Sequence, residues 1–433
     1  VAASAVLALA VPTAHAAAPR AAPAAGCAAT RGAVAGSLDA LVTRYGVPGA
    51  AAEAVEPGCG RWTAARGVAD LGSGRPMNAG DRLRIGSITK TFTATVVVQL
   101  AAEGRLGLDD PVERHLPGLI RGNGYDGRTI SVRDLLQHTS GLPDYTESLG
   151  RRPVEEWRFR HFAPRELIAA ALKMPHPQGK WHYATTNALL AGLVVEKATG
   201  RGVETEVTRR ILRPLGLRDT YWPGDTTRIR GPHSHSYFPD PGRRDSDRQG
   251  SGREGTGREG TGREGSGREG SGRAGTGRAG PGQQGHARPQ GAPLVDGTAW
   301  NTTFGGAGGA LISTPADVNR FYRGLFGGRL VPAHWLAEMK RTVPADPRRL
   351  WPGARYGLGL IASPLSCGGM WWGHSGTVPG GHRALGASTP DGRGIALALT
   401  KVPDTDRAED AFRAVVDRAF CAPGRTHQPK ETE

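Results

Sequence analysis

The chain has 433 residues, enough for one large core or two smaller ones, and its 65 glycines and 32 prolines exceed what an ordinary domain of this size carries. Hydrophobic residues at 38% and charged residues at 22% suit a soluble globular enzyme diluted by a flexible segment. The formal charge of +15 does not point to nucleic acid, because the arginines are scattered and form no aromatic-flanked basic cluster.

In chain order, Ala2 to Val11 form an apolar run too short to span a bilayer, followed by the small-x-small pattern Ala14-His15-Ala16. This reads as a signal peptide over residues 1–16, truncated because a basic n-region and an initiator Met do not precede it. Export to the extracellular space is the expected localisation. No other segment is apolar enough to cross a membrane. Residues 17–36 are rich in Ala, Pro and Gly and read as a mobile leader. The globular pattern begins at Ser37, where Leu38, Leu41, Val42 and Tyr45 repeat with helical spacing up to Gly46-Val47-Pro48. Two strand-like runs follow, Gly49–Val55 and Arg61–Ala69, separated by the hairpin signal Pro57-Gly58.

Ser87–Glu103 reads as a helix closed by Gly104, with Ile88, Phe92, Val96 and Leu100 every four residues. Shorter helices are expected at Ser131–His138, Pro164–Lys173, Thr186–Ala198 (closed by Gly200) and Val203–Leu212. Residues 241–292 break the pattern. Six pentads from Ser251 to Gly280 repeat Ser/Thr-Gly-Arg-Glu/Ala-Gly and offer nothing to bury, so the segment is expected to be a disordered insert. Its ten Arg against six Asp and Glu leave a net of +4, and without aromatics it reads as a solvated loop at the far end of the helical part rather than a nucleic-acid arm.

Globular pattern resumes at Leu294. Ser313-Thr314-Pro315-Ala316-Asp317 opens a helix with a hydroxyl cap. Arg383–Thr389 and Gly394–Leu399 flank a second hairpin turn, Asp406–Phe420 forms a last amphipathic helix, and residues 422–433 are a tail. Strands thus lie at both chain ends with helices between. The expected fold class is α+β: one antiparallel sheet built from both ends of a catalytic domain over 37–421, flanked by helices, with an inserted all-helical part at about 105–240. Four cysteines in an exported chain suggest disulfides, and of the three pairings Cys27–Cys59 and Cys367–Cys421 each join neighbours in this architecture.

Ser87-Ile88-Thr89-Lys90 is the sharpest chemical signal. At a helix start, positions i and i+3 share a face, so the hydroxyl and the amine come within hydrogen-bond reach. Serine is a poor nucleophile until a base takes its proton, and a lysine of lowered pKa can do so. The spacing alone is weak, since any Ser-capped helix with a Lys one turn later shows it. Two later elements arrive in order. Trp181-His182-Tyr183-Ala184-Thr185-Thr186-Asn187 precedes a helix and offers Tyr183 as a second proton carrier. Gly373-His374-Ser375-Gly376-Thr377 follows an aromatic strand, and a polar, Gly-containing edge can pair with a peptide-like substrate.

The run Arg84–Phe92 (RIGSITKTF) resembles the serine β-lactamase and penicillin-binding-protein superfamily, as do Gln137–Tyr145 (QHTSGLPDY) and Gly309–Thr314 (GALIST). The resemblance runs from about Ser37 to Cys421 and is nearest the class C-like branch that includes secreted D-alanyl-D-alanine carboxypeptidases. It implies acylation of Ser87, with proton shuttling by Lys90 and Tyr183 and an oxyanion hole from the backbone N–H groups of Ser87 and Thr377. His374-Ser375-Gly376 matches the family's third motif, and Phe304 falls where relatives place an aromatic wall of the cleft. Thr185 stands where the second motif normally has Asn. The strand Leu360-Ile361-Ala362-Ser363 lacks the arginine that some carboxypeptidases use to hold the substrate's carboxylate.

The resemblance implies a secreted serine acyl hydrolase, foremost a D-alanyl-D-alanine carboxypeptidase-like enzyme acting on peptidoglycan-type peptides, with β-lactams as covalent ligands. The same machinery also serves an esterase, a D-amino-acid amidase or a β-lactamase. A non-catalytic penicillin- or wall-binding module is the rival from another class, and intact Ser87, Lys90 and Tyr183 argue against it. No metal or organic cofactor, no nucleic-acid partner and a monomeric state are expected.

Overall fold

The computed structural model describes residues 25–240 and 293–421. The expected signal peptide, the pentad insert (241–292) and the tail (422–433) lie outside the described residues.

Two strand segments from opposite ends of the chain build one sheet. From the N-terminal side come β1 (Gly49–Glu56) and β2 (Gly60–Gly67). From the C-terminal side come β3 (Val343–Pro344), β4 (Arg355–Tyr356), β5 (Ile361–Pro364), β6 (Met370–Thr377), β7 (Arg383–Ser388) and β8 (Gly394–Leu399). The eight strands run in the order β2-β1-β8-β7-β6-β5-β4-β3, each antiparallel to its neighbours. Pairing of β1 with β8, in the register Ala50↔Leu399 to Val55↔Gly394, joins the two chain ends.

Both faces of the sheet are covered, and the period-two alternation of side chains decides which residue serves which core. Ile395, Leu397 and Leu399 of β8 join Ala50, Ala52 and Ala54 of β1 on one face. There they meet α1 (Ala25–Thr43) through Val34, Leu38 and Leu41, and α5 (Asp406–Phe420) through Phe412, Val415 and Val416. Ala396 and Ala398 turn to the other face, toward α4 (Pro315–Phe326) and its Val318, Phe321 and Tyr322. A Cβ on Gly386 of β7 would stand 2.5 Å from the Tyr322 ring, so that glycine sets how closely α4 lies on the sheet. Thr314 caps α4 and Thr405 caps α5, each accepting a backbone N–H of the first turn.

α1 corrects the expectation of a mobile leader through residue 36. From Ala25 the chain is helical, with Thr30 and Val34 buried and Cys27 bonded to Cys59 on the β1–β2 turn. The second disulfide, Cys367–Cys421, ties the β5–β6 turn to the end of α5.

The helical part centres on α2 (Thr89–Ala102), entered from a short 3₁₀ turn at Gly86–Ile88 and left at Gly104 in the left-handed region. Twelve of its fourteen residues are buried, so it is a core helix and not an amphipathic one. Against it packs α3 (Thr185–Thr199), closed by Gly200 at φ +69°. The expected single helix Val203–Leu212 is an α turn (Val203–Val207) running into π geometry (Thr208–Leu212).

The root of the insert is not at the far end of the helical part. Tyr237–Pro239 pairs with Leu294–Asp296, and this hairpin lies against the β6–β7 turn: a Cβ on Gly381 would meet the Tyr237 carbonyl at 2.2 Å, and one on Gly297 the Gly380 carbonyl at 2.0 Å. Tyr237 also bonds the Thr400 carbonyl just beyond β8. The strand at 237–239 therefore forms a two-stranded sheet of its own beside the end of the main one, although the expected helical part ran to about 240.

Candidate active site

Ser87 occupies the middle of the 3₁₀ turn that leads into α2, half-buried, while the residues on either side are buried. Gly86 permits the turn in two ways. Its φ of +51° is a conformation that side chains avoid, and a Cβ there would fall 2.7–2.8 Å from the Thr377 backbone. One turn on, the Lys90 Nζ lies 3.0 Å from Ser87 Oγ, 3.0 Å from the Gly308 carbonyl oxygen and 3.4 Å from Thr185 Oγ1. Burial disfavours its charged form and brings its pKa from 10.5 down to about 8, opposed by the carboxylate of Asp144. Such an amine is about one-tenth neutral at pH 7 and about half neutral at pH 8.

Tyr183 arrives from the segment before α3. Its ring lies under the Lys90 ammonium, 4.8 Å from Nζ to centroid, and its hydroxyl hydrogen-bonds with Ser87. Burial holds the phenol well above its ordinary range, so it is neutral and a proton donor at pH 7. His138, left-handed at φ +63° after the helix Val132–Gln137, fixes this segment. Its Nδ1 accepts from the Ala184 N–H at 3.2 Å and the Asn187 amide at 3.1 Å, while Ser140 donates to Asn187 Oδ1 at 2.7 Å. The Gln137–Tyr145 run is thus the brace that holds Tyr183 and Thr185 over Lys90.

The third wall is β6. It is an interior strand, yet β5 pairs only with Met370 to Gly373 and leaves His374–Thr377 with one open edge. Arg383 on β7 donates to the Gly376 carbonyl, and alternation turns the N–H and C=O groups of Ser375 and Thr377 the other way, to the open edge. A Cβ on Gly376 would strike the Ile85 carbonyl at 1.9 Å and the Ser87 nitrogen at 3.0 Å. Only glycine lets the strand lie against the Ser87 turn, which puts the backbone N–H groups of Ser87 and Thr377 at one junction.

His374 is buried and neutral. Desolvation, and then the nearby Lys90 charge, lower its pKa to about 3. The Arg383 guanidinium is engaged by the Gly376 carbonyl and by Glu409 of α5. Among the described residues, neither His374 nor Arg383 therefore offers the open edge a free cation.

The structure brings Ser87, Lys90, Tyr183, Thr185, His374, Ser375, Gly376 and Thr377 together where the helical part meets the sheet. Phe304 packs edge-on against Trp157 and Trp300 (centroids 5.3 and 6.0 Å) and is 8% exposed, so most of its ring serves the core. Sequence reasoning gave no role to Gly308, whose contribution is a carbonyl. It also missed Tyr356, whose hydroxyl bonds His374 Nε2 at 2.9 Å, and Asp144, a buried carboxylate near Lys90 that lies within the recognised Gln137–Tyr145 run. Among the described residues the one cluster with metal-ligand spacing is Cys27, Glu56 and Cys59, and its cysteines are joined as a disulfide.

A half-exposed hydroxyl backed by an amine of depressed pKa, set where a strand edge offers free N–H groups, is the equipment of a serine hydrolase. The Beta-lactamase family model matches residues 34–420, and the chain belongs to that family of serine hydrolases. Two curated relatives are Penicillin-binding protein 4 of Amycolatopsis lactamdurans and Esterase EstB of Burkholderia gladioli. The first is 33% identical over 200 residues, 46% of this chain and 51% of that one. The second is 35% identical over 167 residues, 36% of this chain and 42% of that one. The chain thus matches about half, or less, of these relatives' length. The crystal structure of a D-stereospecific amidohydrolase from Streptomyces sp. superimposes with a TM-score of 0.71 at 36% identity, covering 90% of this chain and 98% of that one. No helix among the described residues is long and apolar enough to cross a membrane, and both disulfides are compatible with an extracellular setting.

Proposed function

We propose that the protein hydrolyses amide or ester bonds of small D-configured acyl substrates through an acyl-enzyme on Ser87. The observation that carries this reading is the 3.0 Å contact between Ser87 Oγ and a Lys90 amine whose pKa lies near 8. Lys90 is then the first base. Its neutral amine takes the Ser87 proton as Oγ bonds the substrate carbonyl carbon, while the phenol of Tyr183, held protonated, cannot serve as that base. The tetrahedral oxyanion sits between the backbone N–H groups of Ser87 and Thr377. The bond to the amine or alcohol breaks, and the leaving group takes the proton from Lys90 by way of Tyr183. Water then attacks the acyl carbon and gives up a proton to Lys90, the bond from the acyl carbon to Ser87 Oγ breaks, and Lys90 returns that proton to Oγ as the acid leaves.

The leaving-group side decides between substrates. A dipeptide carboxypeptidase substrate ends in a free carboxylate, and a buried or half-buried anion needs a cation beside it. His374 is neutral, Arg383 is engaged behind the strand, and β5 carries Ile361, Ala362, Ser363 and Pro364. Amides and esters need no such partner. Likeness to a D-stereospecific amidohydrolase across almost its whole length supports the D configuration. Carboxypeptidase action on cell-wall peptides, with capture of β-lactams, is the second reading, favoured by the penicillin-binding-protein match.

Initial rates on D-aminoacyl amides and esters, on peptides ending in D-Ala-D-Ala and on nitrocefin test the choice. The proposal expects the amides and esters to lead in kcat/KM. A lead for the free-carboxylate peptides overturns it in favour of the second reading.

A further inference from the structure

The open edge of β6 depends on a contact that the acyl-transfer chemistry does not itself use. His374 Nδ1 lies against the Ser375 carbonyl, and its Nε2 lies 2.9 Å from the Tyr356 hydroxyl. A carbonyl accepts only, so Nδ1 must carry the proton. Nε2 is then the acceptor, and Tyr356 must donate to it. The Ser375 carbonyl thereby selects the tautomer of His374, which caps one of the two carbonyls turned to the open edge, and the Tyr356 hydroxyl satisfies the bare Nε2 and holds the ring in place. The arrangement is enclosed: Tyr356 and His374 are buried, and the Tyr356 ring touches His138, Trp181 and Tyr183.

We propose that Tyr356 is a positioning residue of the active site, which donates to Nε2 of His374 and so holds the ring where its Nδ1–H closes the Ser375 carbonyl to substrate and leaves Thr377 as the backbone pairing position. An incoming substrate then meets one N–H and one C=O on this strand. That suits a single acyl residue with a small leaving group better than a longer peptide, which would pair through both carbonyls. This consequence rests on acyl transfer at Ser87, whereas the tautomer itself does not.

The test uses the full chain labelled with ¹⁵N in its histidines, with His374 assigned by its loss in His374→Asn. Long-range ¹H–¹⁵N spectra at pH 7 are expected to show His374 protonated at Nδ1 and bare at Nε2. In Tyr356→Phe the ring loses its hold at Nε2, and its Nδ1 proton is expected to exchange with solvent faster. The same variant is expected to lose about tenfold in kcat/KM on a D-aminoacyl ester, as for one lost buried hydrogen bond, chiefly in kcat. It should also gain relative activity on longer peptides. Adding Tyr356→Phe to His374→Asn should cost little further, because the two act as one unit. An Nε2–H tautomer in the wild-type chain overturns the proposal whatever the variant does. So does a Tyr356→Phe chain with unchanged Nδ1–H exchange and unchanged specificity, or fully additive losses in the double variant. Persistence of hydrolysis in Ser87→Ala would instead sink the function proposed above and leave the tautomer finding standing.

Discussion

The Gly308 carbonyl oxygen and the Lys90 ammonium nitrogen meet at 3.0 Å, and this contact leaves no room for a side chain at 308. A Cβ there would stand 2.7 Å from the Thr185 methyl and 3.3 Å from Lys90 Nζ. The amine is thus aimed at Ser87 by a backbone group that must come from glycine. Gly308→Ala is expected to push Thr185 and Lys90 out of line, lowering kcat/KM more than tenfold at a stability cost of about 1–3 kcal/mol, the usual penalty of overpacking. Steady-state rates and denaturant unfolding measure both. Unchanged rates would show that the carbonyl does not aim the amine.

The pH profile follows from the state Lys90 must hold. As a base it must be neutral, so kcat/KM should rise with pH and level off above about 8. Asp144 favours the charged form of Lys90, so Asp144→Asn should move that limb to lower pH, with the hydrogen bond from the Thr146 backbone N–H retained by the amide oxygen. A limb that stays in place or moves upward would assign it to another group.

Buried neutral histidines make the fold acid-sensitive. His382 is fully buried beside Ser234, and desolvation lowers its pKa from 6.5 to about 3. The unfolded chain therefore binds a proton that the folded chain refuses between those values. The stability from keeping His382 neutral is complete above about pH 6.5 and is lost as pH falls toward 3, about 2 kcal/mol by pH 5. Thermal unfolding between pH 7 and 5 should fall more steeply in the wild-type chain than in His382→Gln. Parallel curves would contradict this.

The hairpin at the root of the insert is closed by its own bonds, since the Asp240 N–H donates to the Pro293 carbonyl at 2.9 Å. Deleting residues 243–290 leaves four residues to join these ends, a common hairpin loop length. The shortened chain is expected to fold with the same Tm within a few degrees and to keep its rates within about twofold, because longer loops cost little entropy and every site group described above lies outside this segment. A collapse of activity with the fold intact would show that the segment works at the neighbouring cleft.

Local chemistry was legible in the sequence where the signal itself is local. Ser87 and Lys90 are three residues apart, Gly104 and Gly200 end their helices through backbone freedom alone, and Pro57-Gly58 turns a hairpin between two runs of small residues. The start of α1 was hidden because its Ala/Gly stretch gains order from docking on β2 and α5, contacts with no local sign, even though the bond from Cys27 to Cys59 was expected. Gly308 and Tyr356 were invisible for a related reason. One acts through a carbonyl that every residue possesses, and the other meets His374 only after β4 and β6 take their places in the sheet. The root of the insert depends likewise on long-range packing against Gly380 and Gly381, which composition could not locate.

The account rests on Ser87 as the atom that is acylated. Intact-mass and peptide mass spectrometry of the protein incubated with a β-lactam or a slow D-aminoacyl ester measures this directly. The account predicts one added acyl group, mapped to the peptide containing Ser87 and absent in Ser87→Ala. An adduct on another residue, or equal labelling of Ser87→Ala, would contradict it.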